Sequence, residues 1–287
     1  MHKSGSHDWW KHMKTIMGLK TNCKSCMQSL ANKATDGDCG LMANTMNDFF
    51  VSVSDHLHRL NKSHKVFDVN EELSDQYVIS VCTTFKALES VKANKATVPD
   101  NIPAWVLRNY GNVLNSLKEG VLPMEWKMAN VIPLPKTSSP VSIEKDIRPI
   151  SLTPIAAKVF ESIIKWVDKT IEGEIDAKQF GGISGTSTTD VLVELVHMWY
   201  KATDKLNSYV RVVMLDFSKA FDLINHHLLL DKLQSYGLPA HILIRMATFL
   251  SDRAQRVKIG NEYSHSGHPN GGVPQGPGPK SSPCLHK

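Results

Sequence analysis

Apolar residues recur at helical spacing along some stretches of this chain and in unbroken runs along others, and the contrast separates helices from strands. Between Leu41 and Leu60 the apolar positions 42, 46, 49, 50, 53, 57 and 60 line one face of a helix. Asn61 to Lys65 reads as a linker, and Thr84 to Val91 repeats the helical spacing with Phe85, Leu88 and Val91. A Pro/Asn-rich turn follows, after which Pro103 stands where a helix tolerates proline at its start. Further helices are predicted for Pro154 to Trp166, Thr189 to Tyr200, Asn225 to Tyr236 and Ala240 to Leu250. The last two are divided by Gly237-Leu-Pro239, a stop-and-restart signal. Strands are predicted for Ala129 to Leu134 and Ile147 to Leu152, with a polar loop from Thr137 to Val141 between them. Gln255 to Ile259 and Glu262 to Ser266 flank Gly260-Asn261, a two-residue hairpin turn. The Gly/Pro-rich carboxyl end reads as disordered.

The run from Val210 to Leu215 is the most apolar of the strand candidates, and it stops at Asp216 before a polar turn and the helix at Asn225. Such a run reads as a strand buried on both faces. Ligands of open α/β sheets gather at the carboxyl ends of strands, so Asp216 lies where a site is expected. A carboxylate there suits Mg²⁺, a hard cation that favours oxygen donors and nearby phosphates. An Asp that merely caps a strand-to-helix turn is the alternative at this level.

Composition narrows the class. With 287 residues, 41% hydrophobic and 21% charged, the chain is long enough for a sizeable core and has the balance of a soluble globular protein. A net charge of +5 permits a phosphate-rich partner without requiring one. No apolar stretch approaches the ~20 residues needed to span a bilayer, and the amino terminus has no signal-peptide core, so an intracellular site, cytoplasmic or nuclear, is expected. Five cysteines fit reduced thiols rather than a disulfide scaffold. Cys23 and Cys26 form a CxxC pair without the second pair that structural zinc favours. The histidines His226, His227, His265 and His268 have no metal spacing and read as surface residues.

Five segments in order narrow it further. Leu215-Asp-Phe-Ser-Lys-Ala-Phe-Asp222 closely resembles the first catalytic-aspartate motif of reverse transcriptases from non-LTR, LINE-like retrotransposons. Trp126 to Lys136 and Ile147-Arg-Pro-Ile-Ser-Leu152 are similar to that family's finger strands. Gln179 to Thr188 is similar to its template-side segment, and Arg256 to Gly260 leads to Gly272-Val-Pro-Gln-Gly276, similar to the loop under the incoming nucleotide. The resemblance covers roughly residues 66–276. It implies an α/β (α+β) fold, right-hand fingers plus a partial palm, behind a mostly helical amino-terminal region. The expected divisions are 1–65 upstream of the polymerase, 66–276 for the partial polymerase domain and 277–287 for an aberrant tail.

The resemblance also implies roles. Asp216 would be the catalytic carboxylate and, with the Phe217 backbone carbonyl, a ligand of Mg²⁺. Lys136 and Arg148 would hold the triphosphate, one as a point charge and the other as a planar fork. Phe221 would lie beneath the sugar and exclude a ribose 2′-OH, and Gln275 would touch the incoming nucleotide or template base. An RNA template, a DNA primer and deoxynucleoside triphosphates are the partners so implied. Asp222 is expected to be structural and Lys219 a solvated surface lysine. Ser184, Thr186, Ser187 and Thr188 are candidate donors to template phosphates; the equal alternative is that Thr188 or Thr189 caps the next helix.

The pattern departs from the family in places. Val98-Pro-Asp-Asn101 lacks the two glycines common in that turn, and Asn109 to Trp126 is short, as after an internal deletion. The family's aromatic-Ala-Asp-Asp string, source of its second catalytic carboxylate, occurs nowhere in the chain. The expectation is therefore a truncated or frame-shifted copy that does not polymerise as it stands. Two other readings remain open at this level, a catalytically dead nucleic-acid-binding remnant and a relic without a biochemical role.

Overall fold

Two interior strands and two edge strands form the only sheet among the described residues, and they organise the rest of the chain. The computed structural model describes residues 37–60, 123–158 and 172–274, apart from 138, 156, 184, 205 and 206, together with 35, 86, 88, 89 and 102. The strands are β1 (Met128–Pro135), β2 (Ile147–Leu152), β3 (Ala254–Ile259) and β4 (Glu262–Tyr263), in the order β2-β1-β3-β4. β1 and β2 are antiparallel, with Asn130 opposite Leu152 and Leu134 opposite Arg148. β1 and β3 are parallel, with Val131 opposite Val257, so the chain leaves the sheet after β2 and returns more than a hundred residues later. A parallel neighbour requires such a crossover.

Helix α1 (Cys39–Ser52) covers one face of this sheet. Asp38 starts it by accepting the amides of Gly40 and Leu41, two of the donors that a helix start leaves without partners. Met42, Ala43 and Met46 are fully buried against Val131, Ile147, Val257 and Ile259. Asn47, fully buried beside them, donates to the His265 carbonyl at 3.0 Å and accepts from Gln255, so its amide is satisfied at both ends. The amphipathic face expected from Leu41 to Leu60 is real, but the helix ends at Ser52 and turns carry the chain on to Leu57.

A second core lies between α4 (His226–Ser235) and α5 (Ala240–Leu250). Leu229, Leu230, Leu233, Leu238, Ile242, Leu243 and Leu250 pack there with Leu60. Asn225 caps α4 through the amides of His227 and Leu228, and Gly237 takes the positive φ of 75° that ends it. The hairpin expected at Gly260-Asn261 is present. Ile259 pairs with Glu262, and Gly260 takes the positive φ (62°) while Asn261 does not, the pattern of a type II′ turn.

Helix α3 (Thr188–Thr203) begins at Ser187, not at Thr188 or Thr189 as the sequence suggested. Ser187 and Asp190 form a reciprocal capping box, and the Ser187 hydroxyl holds the Asp190 carboxyl below the usual carboxylate range. No residue of α3 is buried, and Leu192, Val193 and Tyr200 face solvent. The predicted helices at Thr84 to Val91, after Pro103 and at Pro154 to Trp166 lie mostly outside the described residues, as do the Asn61 to Lys65 linker and Cys23 and Cys26; residues 86, 88, 89, 155, 157 and 158 are helical.

The largest departure concerns Val210 to Phe217, which forms no strand. Val213, Met214, Leu215 and Phe217 are each at least 75% exposed. A strand buried on both faces needs a ladder on each side and a layer above and below. No described element supplies either here, so the apolar run stays unpaired.

The α1–sheet contact predicts a sharp contrast. Met46→Ala should lower the free energy of unfolding by about 2–5 kcal/mol through lost burial and a residual cavity. Leu41→Ala, on the exposed side of the same helix, should change it by about 0.5 kcal/mol or less. Urea unfolding followed by circular dichroism compares them directly.

Candidate nucleotide site

The β1–β2 connection forms the best-defined part of the site. Ser142 caps a single helical turn, α2 (Ile143–Asp146), which leads straight into β2. The Asp146 carboxylate accepts the amides of Val141 and Ser142 at 2.9 Å each, and these bonds hold it below the ordinary carboxylate range. The Lys136 amide donates to the Asp146 carbonyl at 2.7 Å, extending the ladder by one rung beyond β1. Lys136 and Arg148 therefore stand close together at one end of the sheet, both exposed. They differ in readiness. The Lys136 ammonium is tethered to the Lys145 carbonyl at 2.9 Å, whereas Arg148 has no ion pair or side-chain hydrogen bond with a described residue.

A bridge runs from this hairpin to the aspartate motif. Glu144 on α2 lies 3.4 Å from the Lys219 ammonium, which also sits 4.6 Å from the centre of the Phe49 ring on α1. Lys219 takes a positive φ of 53°. It is thus a tie between the hairpin, α1 and the turn after Asp216, and the solvated surface lysine expected from sequence is corrected by its two partners.

That turn carries Phe221 and Asp222, and the segment Gly271–Val273 is strapped across it. The Val273 amide donates to the Phe221 carbonyl at 2.9 Å and the Gly272 amide to the Ile224 carbonyl at 2.8 Å. Gly272 has a φ of 81°, and a Cβ there would lie 2.8 Å from the Asp222 carbonyl oxygen, so only glycine fits this approach. His226 completes the strap: its Nε2 lies 2.7 Å from the Gly272 carbonyl. Because a carbonyl only accepts, Nε2 carries the proton. The ring is 3% exposed, which overturns its reading as a surface histidine. Its neighbour Asn225 caps α4, and a helix start facing a docked strap buries whatever side chain comes next. No spacing in the sequence signals that.

Asp216 itself stands apart. It lies in the exposed Val210-to-Phe217 run and makes no hydrogen bond or ion pair with a described residue. Among the described residues no three His, Cys, Asp or Glu side chains group together as metal ligands do. Asp216 is therefore part of no such group among the described residues. Gln275 lies outside the described residues. Of the hydroxyls considered for template phosphates, Thr186 is engaged with the carbonyls of Phe180 and Ile183 and Ser187 with Asp190, so both build the loop. Ser184 lies outside the described residues.

Comparison with known proteins agrees with these motifs. The family of reverse transcriptases (RNA-dependent DNA polymerases) matches residues 134–286. A probable RNA-directed DNA polymerase from transposon BS of Drosophila melanogaster is 29% identical over 203 residues, 67% of this chain and 22% of that protein. The RNA-directed DNA polymerase from mobile element jockey of the same organism is 27% identical over 227 residues, 72% of this chain and 25% of that protein. A third, from transposon X-element, is 31% identical over 157 residues, 54% of this chain and 17% of that protein. The chain spans a quarter or less of the length of these relatives. No helix among the described residues is long and apolar enough to cross a membrane.

Burial pushes the His226 imidazole below its ordinary pKa, with the nearby cation of Arg253 adding to the effect and the Gly272 carbonyl opposing it. The unfolded chain, with a histidine near 6.5, takes up the proton first as pH falls. Stability linked to His226 should therefore be fully present above about pH 7 and decline below about pH 6.5. His226→Gln, which keeps an N–H donor, should remove that component of the acid sensitivity. His226→Ala should cost about 1–3 kcal/mol at neutral pH by stranding a buried carbonyl. Unfolding midpoints measured from pH 5 to pH 8 test both.

Proposed function

Because the chain belongs to the reverse transcriptase (RNA-dependent DNA polymerase) family, we propose that its residues form the nucleotide- and template-binding portion of an RNA-directed DNA polymerase of a LINE-like retrotransposon. Nucleotidyl transfer is in-line phosphoryl transfer, which depends on positioning and on neutralising negative charge. Mg²⁺ supplies that neutralisation in such enzymes, and Asp216 with the Phe217 carbonyl is this chain's contribution to holding it. The 287 residues contain no aromatic-Ala-Asp-Asp string and the described ones no carboxylate cluster. We therefore infer that they do not polymerise on their own.

The observation that carries the reading is the continuous tie from the Lys136–Arg148 hairpin through Glu144 and Lys219 to the Phe221 turn and its strap. It links three segments that the family motifs assign to the incoming nucleotide. Arg148, exposed and without an ion pair or side-chain hydrogen bond to a described residue, is the principal triphosphate contact, since a guanidinium fork matches phosphate bidentately. Lys136 keeps two further N–H donors beside its bond to the Lys145 carbonyl and contributes as a point charge. Phe221, below the sugar, favours deoxynucleotides.

Binding of a fluorescent deoxynucleoside triphosphate tests this assignment. Arg148→Ala should weaken affinity by roughly 10- to 100-fold, the worth of a charged hydrogen bond, and Lys136→Ala by less. Equal affinity in wild type and Arg148→Ala would remove Arg148 from the site. Primer extension on an RNA template should give no Mg²⁺-dependent product from the 287 residues alone. Extension abolished by Asp216→Ala would overturn the inactivity and confirm the carboxylate.

A further inference from the structure

The stretch from Gly267 to Val273 is fastened in two different ways. Gly267 exchanges both backbone bonds with Gln255 on β3 at 2.8 Å, and the Asn270 amide donates to the Ser54 hydroxyl at 3.0 Å. None of those groups changes charge near neutral pH. From the adjacent glycines Gly271 and Gly272 onward, the strap is held on the Phe221 turn by two backbone bonds and one titratable side chain, His226. Two glycines in succession, one of them at a φ of 81°, leave the backbone free to swing at that point.

His226 suits this place only while its ring is neutral. Nε2 donates to the Gly272 carbonyl, so a further proton goes to Nδ1, which has no hydrogen-bond partner among the described residues. The imidazolium so formed meets three penalties. It is buried, and taking a charge out of water is costly. It belongs to the first residue of α4, where the helix dipole presents its positive end. Arg253, itself 7% exposed, and His227 stand near it as like charges, and the Gly272 carbonyl offsets only part of this. Of the remaining ionisable groups on the surrounding elements, Asp252 pairs with Arg59 at 3.8 Å and Lys219 with Glu144 at 3.4 Å. His268 meets the Arg253 carbonyl at 3.2 Å, and Asp222 borders Gly272 through its backbone carbonyl.

We propose that His226 is a positioning residue with a proton-operated release. The neutral ring seats the Gly271–Val273 strap on the Phe221 turn; the charged ring withdraws to water, and the strap swings about its glycines while both cores stay folded. The segment before the glycines stays docked, because its ties to Gln255 and Ser54 do not titrate. Only the strap's place at the border of the nucleotide site rests on the polymerase reading. On that reading Phe221 and the strap across it form one wall, so that acid loosens the nucleotide's seat. The latch itself stands without it.

Hydrogen exchange followed by NMR on the full chain, corrected for the intrinsic pH dependence of amide exchange, tests the latch at the Gly272 and Val273 amides. From about pH 7.5 to about pH 5.5 their protection should fall about tenfold, the ratio for a released imidazole titrating near 6.5 and a seated one that does not. The amides of β1 and α5 should stay far better protected throughout. His226→Gln, which keeps the N–H donor, should retain the strap's protection at the higher pH and abolish its fall. Gly272→Ala, whose Cβ would lie 2.8 Å from the Asp222 carbonyl oxygen, should leave the strap poorly protected at both pH values. His197→Gln on the exposed face of α3 should behave as wild type. If His226→Gln does not fold by circular dichroism, the contrast between wild type and Gly272→Ala decides. A strap whose protection ignores pH, an equal fall in His226→Gln, or strap and core amides that converge on one exchange rate would each overturn the latch. Binding of a fluorescent deoxynucleoside triphosphate at the same two pH values separates the latch from the polymerase reading. The ratio of wild-type to His226→Gln affinity, in which the nucleotide's own ionisation cancels, should drop at the lower pH. A constant ratio beside a strap that opens would sustain the latch and detach it from the nucleotide site.

Discussion

Burial of Val131, Ile147, Val257 and Ile259 under Met42, Ala43 and Met46 decides which way every side chain of the sheet points. Strand side chains alternate, so placing these positions under α1 sends their neighbours to the other side. A one-residue slip of β3 against β1 would bury Arg256 and Lys258 beneath the helix and expose Val257. The hydrophobic cost of that exchange, added to the cost of burying two charges, fixes the register. The cationic face is therefore a consequence of the apolar one. The parallel pairing of β1 with β3 brings Arg256 to Asn130 across 126 residues of chain, and α1 holds that pairing in place through Asn47, Gln255 and the His265 carbonyl.

The second organising constraint is local and polar. Gly272 approaches the Phe221–Asp222 backbone as closely as it does because it lacks a side chain, and the His226 ring covers its carbonyl from the other direction. Three hydrogen bonds of 2.7–2.9 Å hold the strap. Together with the Glu144–Lys219 ion pair they join segments that are far apart in sequence into one surface. Each tie differs in strength. The His226 bond is buried and costly to lose, while the Glu144–Lys219 pair is partly exposed, Lys219 at 28% and Glu144 at 59%, and is worth correspondingly little in isolation.

Asp216 is the point at which motif and geometry part. The sequence run before it has the composition of an interior strand, and the structure leaves it exposed and unpaired. Apolar composition states what a segment would bury if something were there to bury it against. Alone it does not supply the neighbour. The same holds for α3, whose Leu192, Val193 and Tyr200 lie uncovered although its helical form and cap are well determined.

What the sequence determined by itself were the elements whose signals are local. The strands at Ala129 to Leu134 and Ile147 to Leu152, the helix near Asn225 to Tyr236, the Gly237-Leu-Pro239 break and the Gly260-Asn261 turn depend on residues a few positions apart, so short-range backbone preference settles them. The motif strings likewise carried the family, because residue identity in order survives without a fold. Tertiary structure alone decided that α1 stops at Ser52, that Lys219 is a tie, that His226 is buried, and that Val210 to Phe217 is no strand. In most of these the deciding group lies on another element. Burial and strand pairing are properties of what stands opposite a residue, and periodicity along one segment contains no record of it.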